Sequence, residues 1–222
     1  SMMYAYAENY ILPFSHDEVV HGKASLIGRM PGDTWRQFAG LRALALYQMT
    51  HTGGKLNFMG NEFGQFIEWR FYEGLEFFLT EKFENHKHHQ DFIRDLNHVY
   101  KKEKELWFDD NRPEGFEWID ANDAEQNIYS YLRKTEKGRT KLICVINFGV
   151  FQHDGFRLGV PGPGYYEEII NSDSEKYGGN NHINGKIIKA EKVPFHGRPY
   201  SIVIDIPSLG GMILKKVNKK QS

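Results

Sequence analysis

Cysteine is nearly absent from this chain of 222 residues. The single thiol, Cys144, excludes an internal disulfide framework and any zinc site built from paired cysteines. Its setting, LICVI, is apolar, which reads as a buried structural thiol and fits a reducing, cytoplasmic location. An excess of charge is also missing. Lysine and arginine number 28 against 29 acidic residues, a formal net charge of -1, so nothing draws the chain to nucleic acid or to an anionic membrane. No apolar run is long enough to span a bilayer. The first residues, SMMYAYAENY, have neither the basic start nor the apolar core of a secretion signal. There is no internal repeat and no low-complexity tract. HGKAS (21–25) lacks the glycine spacing of a phosphate loop. His16 and His21 are five apart, not the four that puts two ligands on one helix face. His86, His88 and His89 crowd a predicted helix start, where histidines are usually solvated or capped. No metal and no cofactor is expected.

What remains is the composition of a globular protein, with 40% hydrophobic and 26% charged residues. Aromatic residues make up 14%, four of them Trp. Aromatic rings serve as core, and they also cover the apolar C–H faces of sugars.

Periodicity divides the chain near residue 108. Before it, WRQFAGLRALALY (35–47) places Trp35, Phe38, Leu41 and Leu44 or Ala45 on one face of a helix. Asp33 or Thr34 would cap it, and Gly53-Gly54 would end it. A second helix is predicted from about His88 to Glu105, with Phe92, Ile93, Leu96, Val99 and Tyr100 as its stripe. Short apolar runs, YILPF (10–14) and LNFM (56–59), alternate with these helices. The order strand, helix, strand, helix is that of a parallel α/β sheet. Both strands run into polar loops, SHDEVVHGK and GNEFGQ, and in α/β barrels such loops build the active site.

After residue 108 come roughly eight short alternating segments: FEWID, IYSYLRK, KLICVIN, GFRLGV, YEEIIN, KIIKA, YSIVIDI and GMILKK. Turn sequences such as DDNRPEG, VPGPG and YGGNNHING separate them, which predicts an antiparallel β-sandwich. The expected fold class is therefore α/β plus all-β, with residues 1–107 as one part, 108–222 as the other, and the boundary within Phe108–Gly115. One βαβα unit cannot close a barrel. It would expose strand edges and helix faces. That predicts a fragment whose open side is covered by a missing N-terminal portion or by self-association.

The chemistry-bearing residues lie in those loops. His16-Asp17 follows the first strand: a carboxylate can stabilise positive charge at an anomeric carbon, and an imidazole can bind ring hydroxyls. Acidic dipeptides at strand ends also serve as caps or solvated turns. Glu62 sits at the second strand end, where a structural role is expected. Asn61, Gln65, Glu68 and Trp69 are placed to line a groove.

The whole strings LPFSHDEVVHGK, GRMPGD and KLNFMGNEFGQFIEW resemble the glycogen branching enzymes of the α-amylase superfamily (glycoside hydrolase family 13). Further similarity lies at HHQDFIRDLN, NSDSEKYGG and HGRPYSIVIDIPSLGGMIL. The resemblance implies the last strands and helices of a TIM (β/α)8 barrel followed by a β-sandwich. It also implies a retaining transfer that cleaves an α-1,4-glucan chain and joins it to a 6-hydroxyl in glycogen biosynthesis. Asp17 matches the family's transition-state-stabilising carboxylate. His16 matches its substrate-contacting histidine, with Glu18, Asn61, Gln65 and Trp69 as further substrate-binding candidates. Nothing here matches the nucleophile or the acid/base, so the chain alone is expected to be inactive on its α-glucan substrate. Two other readings are a free-standing glucan-binding module and a piece of an amylolytic hydrolase. The orphan βαβα unit argues against the first, and EVVHGK after His-Asp against the second.

Overall fold

In the computed structural model the described residues are 5–121, 123, 125–137, 141–185 and 187–218. The first of the predicted strands is β1 (Ile11–Phe14), and it runs parallel to β2 (Gly54–Asn57), with Ile11 opposite Gly54 and Phe14 opposite Asn57. Between them runs α1 (Thr34–Thr50), where the 3.6-residue stripe placed it, extended by three residues at its C-terminal end. Asp33 caps it by accepting the Arg36 amide at 2.9 Å. The helix stops where His51 turns extended and Gly53 takes φ +105°, a conformation a side chain would resist. β2 begins two residues before the predicted LNFM run, because the ladder to β1 captures Gly54 and Lys55 rather than Phe58 and Met59. A short helix, α2 (Phe78–Lys82), was not anticipated: five residues are too few for a periodic signal. The second long helix, α3 (Glu84–Lys102), starts four residues before the predicted His88 and ends before Glu105.

Every one of the eight predicted strand segments contains a strand: β3 (Phe116–Asp120), β4 (Ile128–Lys134), β5 (Lys141–Asn147), β6 (His153–Val160), β7 (Tyr165–Asn171), β8 (Ile188–Lys189), β9 (Tyr200–Ile206) and β10 (Gly210–Val217). Of the KIIKA segment, Lys186 lies outside the described residues. The strands pair antiparallel in two sheets, one in the order β3-β4-β5-β10-β7-β8 and one of β6 with β9. Alternation assigns each side chain to a face. Ile143 and Val145 of β5 join Leu158, Ile202 and Ile204 in a core between the sheets. Leu142, Cys144 and Ile146 of the same strand point the other way, into a core with Leu46 of α1 and Phe92 and Leu96 of α3. The six-stranded sheet is thus covered on both faces, which is why β5 reads LICVI, without alternation. Burial pushes the Cys144 thiol up to about 12, so it carries no nucleophile.

The helices are joined to the sheet by polar groups as well. Arg133 of β4 is fully buried on the helix side. Its guanidinium donates to the last carbonyls around α1, Thr50 at 2.7 Å and His51 at 2.9 Å, to Gly115 O at 3.1 Å and to Asp110 at 2.6 Å. Lys55 of β2 reaches the other Asp110 oxygen at 3.1 Å and the His51 carbonyl at 2.6 Å. Burial holds the Lys55 ammonium down, at about 8, against the opposing pull of Asp110. Towards the opposite edge of the sheet, on the same face, Arg42 of α1 donates to Ser172 O at 2.8 Å. There the turn Asn171–Gly179 docks onto α3 through Tyr177, whose hydroxyl donates to Asp95 at 2.9 Å. Gly179 is required in that turn because a Cβ would lie 2.1 Å from the Asp173 carbonyl oxygen. Replacing Arg133 by Leu should strip this donor from the Thr50 and Gly115 carbonyls and from one Asp110 oxygen, and cost about 3–5 kcal/mol, read as the shift in urea midpoint. A loss below about 1 kcal/mol would mean that the weld is not needed.

Candidate functional site

The loops that leave β1 and β2 meet beside each other. Ser15 starts the turn His16–Glu18 with a reciprocal cap: its hydroxyl receives the Asp17 amide, and Glu18 Oε2 accepts the Ser15 amide at 2.6 Å and hydroxyl at 2.7 Å. Those bonds hold the Glu18 carboxyl below the usual carboxylate range, chiefly through the Ser15 hydroxyl. Glu18, predicted as a substrate contact, is thus committed to the turn. What the cap presents is the pair beside it. The Asp17 side chain is 71% exposed and His16 56%, with 3.9 Å between imidazole Nε2 and carboxylate.

An aromatic wall stands behind His16. Its ring lies 6.0 Å from that of Phe58 and 6.1 Å from that of Trp69, edge-on to the latter, and Phe58 meets Trp69 perpendicularly at 5.2 Å. The sequence places Phe58 inside the strand run LNFM; in the structure β2 ends at Asn57, which frees Phe58 to join this wall. Beneath lies a small core of Val19, Leu26, Ile27, Phe38 and Leu41, against which Phe14, Phe58 and Trp69 pack. The two loops are cross-linked: Trp69 N donates to Val19 O at 2.8 Å, Ser25 Oγ to Phe66 O at 2.9 Å, and Glu68 accepts from the backbone of the first loop.

The remaining predicted residues sit lower. Asn61 and Gln65 are buried, the latter folded against Gly60 and accepting the Glu76 amide at 3.3 Å. Glu62 accepts the Gly60 amide at 2.7 Å, the structural role expected of it. Asn61 and Gln65 border a small hollow with Val19 and Trp69. The histidines at the start of α3 differ from expectation: His86 and His89 are buried, not solvated. They bond the carbonyls of Phe63 at 3.0 Å and Asn61 at 3.1 Å, tying the loop after β2 to α3. His89 borders a cavity of about 370 Å³ with Phe14, Gln48, Asn61 and Leu96. Burial first, then the nearby Arg42 charge, hold its imidazole down at about 3.

Comparison with known proteins fits this arrangement. The family described as "Alpha amylase, C-terminal all-beta domain" matches residues 118–217, which contain β4 to β10. Over 219 residues the chain is 48% identical to the 1,4-alpha-glucan branching enzyme GlgB of Halothermothrix orenii, covering 99% of this chain and 35% of that protein. The chain is homologous to part of the 1,4-α-glucan branching enzymes. The same enzyme of Bacillus cereus strain AH187 is 48% identical over 221 residues, covering 100% of this chain and 34% of its own length. The chain thus spans about a third of the length of the curated relatives it matches. The fold alone is shared with two solved structures. AmyP in complex with maltose superposes with a TM-score of 0.57 at 14% identity, covering 84% of this chain and 36% of AmyP. The α-amylase from Geobacillus thermoleovorans complexed with acarbose gives 0.53 at 10%, covering 82% and 34%. Residues 118–217 are thus similar to the α-amylase C-terminal all-beta domain.

The buried imidazole gives the site a pH signature. Unfolded, His89 titrates near 6.5, so below that pH the unfolded chain takes up a proton that the folded chain refuses. The stabilisation is complete above about 6.5 and is lost as pH falls from there towards 3. Between pH 6 and 4 the stability of the chain relative to His89→Gln should fall by up to about 1.4 kcal/mol per pH unit. A difference that does not change with pH would place the imidazole in solvent.

Proposed function

We propose that residues 1–107 are the closing segment of a catalytic (β/α)8 barrel and 108–222 its C-terminal β-sandwich, together part of a cytoplasmic glycogen branching enzyme. The observation that carries the reading is the 48% identity to GlgB over 99% of this chain, combined with the open His16–Asp17 pair at the end of β1. In a barrel, catalytic groups stand at the C-terminal ends of strands, and Asp17 stands at one. The substrate is an α-1,4-glucan. A nucleophilic carboxylate and an acid/base, both supplied by barrel strands outside this chain, cut the chain with retention and pass it to a 6-hydroxyl, forming an α-1,6 branch. Asp17 accepts hydrogen bonds from sugar hydroxyls and opposes the positive charge that builds at the anomeric carbon. His16 donates to a neighbouring hydroxyl, and Trp69 offers its face to a sugar ring. Asn61 and Gln65 support them from below, and no cofactor takes part.

The same reading explains the uncovered side of the βαβ unit. Ile11 is 58% exposed on a strand whose outer edge has no partner among the described residues. A shallow apolar hollow of about 290 Å³ lies alongside, lined by Leu12, Phe14, Leu44, Tyr47 and His51. The rest of the barrel covers this face in the enzyme.

Two measurements test the proposal. In the full-length enzyme that carries this segment, Asp17→Asn should leave the melting temperature unchanged and lower branching by about three orders of magnitude or more, assayed by counting new α-1,6 linkages. A loss of only a few-fold refutes the role of Asp17, and release of short glucans without new branches would make the parent a hydrolase. The 222-residue chain alone should form no branches in amylose, because it holds neither a nucleophile nor an acid/base in place. Branch formation by the chain, abolished by Asp17→Ala, would show a complete site within it.

A further inference from the structure

The segment that follows Asp17 turns sharply. Gly22 has φ +83° and Ala24 φ +61°, and the latter is a conformation that a residue with a Cβ holds only when its surroundings impose it. Within its own loop one turn bond, from Lys23 N to Val20 O at 3.0 Å, spans the segment but reaches neither the Gly22 nor the Ala24 amide. The restraint comes from across the site. Glu68, on the loop after β2, turns one carboxylate oxygen onto both backbone amides of that turn, Gly22 N at 3.0 Å and Ala24 N at 2.8 Å. The other oxygen lies 3.4 Å from Nδ1 of His21, a side chain that is 97% exposed. The next residue, Trp69, repeats the link through its own backbone, donating to Val19 O at 2.8 Å.

Three features separate this from an incidental surface contact. The bonds span more than forty residues and join loops that leave two different strands. They are charge-assisted bonds from backbone amides, roughly twice as strong as neutral ones. They also bracket the aromatic wall, since Val19 and Trp69 both belong to the small core beneath His16. The two bonds draw the Glu68 carboxyl below the usual carboxylate range, Ala24 first and Gly22 next.

We propose that Glu68 is a positioning residue: its carboxylate clamps the 20–24 turn to the Trp69 loop and so sets the width of the groove in which His16 and Asp17 meet the glucan. The clamp does not touch the reacting atoms. It acts through the backbone, and its value to the enzyme rests on the reading of Asp17 given above. Glutamine can replace it, because a single amide oxygen can accept from Gly22 and Ala24 as Glu68 Oε1 does. Alanine cannot. Gly22→Ala breaks the same turn from the opposite side, since a Cβ there meets no neighbour within 4 Å and is opposed by φ alone.

The experiment has two arms. In the 222-residue chain, hydrogen exchange of the segment 19–25 should quicken by about tenfold or more in Glu68→Ala and stay within about threefold of the parent in Glu68→Gln. In the full-length enzyme, Glu68→Ala and Gly22→Ala should raise KM for amylose by about tenfold with kcat within about threefold, and Glu68→Gln should restore KM. Exchange unchanged in Glu68→Ala overturns the clamp. Faster exchange with an unchanged KM, or a glutamine variant as impaired as alanine, overturns the positioning role. Asp17→Asn, run in parallel, judges the catalytic reading by itself: its failure leaves the exchange result standing.

Discussion

A guanidinium group with no access to water depends on the partners its donors find, and Arg133 makes four hydrogen bonds on two structures at once. Burying such a charge is costly, and the cost is recovered only if the geometry around it holds. The carbonyls that receive it come from the C-terminal end of α1, where a helix leaves acceptors unsatisfied and carries partial negative charge. The aspartate that balances it, Asp110, stands between Arg133 and Lys55, so one carboxylate fixes β4 of the sandwich and β2 of the βαβ unit together. The end of α1 is tied down by it, and α1 leads into β2, the partner of β1, whose end carries His16 and Asp17.

Much of this was legible in advance. The β-strands after residue 115 were found because alternation and turn residues are local signals, and FEWID, IYSYLRK and KLICVIN became strands with those same bounds. The helices were found by their stripes, although α3 begins earlier because Glu84 to Lys87 carry no apolar side chain, and the buried face is continued there by the polar His86. β2 was misplaced by two residues: an apolar run shows where a strand could lie, whereas the partner's register decides where it does lie. The buried state of His86 and His89 was not legible, since it depends on carbonyls over twenty residues away.

In the loops after β1 and β2 the sequence did not show the division of labour among the carboxylates. Glu18 and Glu68 have the same chemistry in the sequence. One closes a cap on its own turn, and the other reaches across to the neighbouring loop. Glu62, which looks like a second catalytic acid at a strand end, is bound to the amide of Gly60. Three carboxylates near one groove are therefore used as backbone acceptors, and Asp17 stands exposed among them. What separates them is whether an amide lies within reach, and that is set by tertiary structure.

The order of the larger sheet has a consequence for how the molecule is made. β10 lies between β5 and β7, so the strand nearest the C-terminus fills the middle of the sheet. While the chain grows on the ribosome, β5 and β7 exist as two separate edges with a gap between them, and neither core can close. The face that receives α1 and α3 is incomplete for the same interval, since Ile213 of β10 is one of its residues. The helical half must therefore wait, partly uncovered, until residues 210–217 have been synthesised, and a ribosome stalled before that point would hold a chain with its apolar surfaces open to chaperones and proteases.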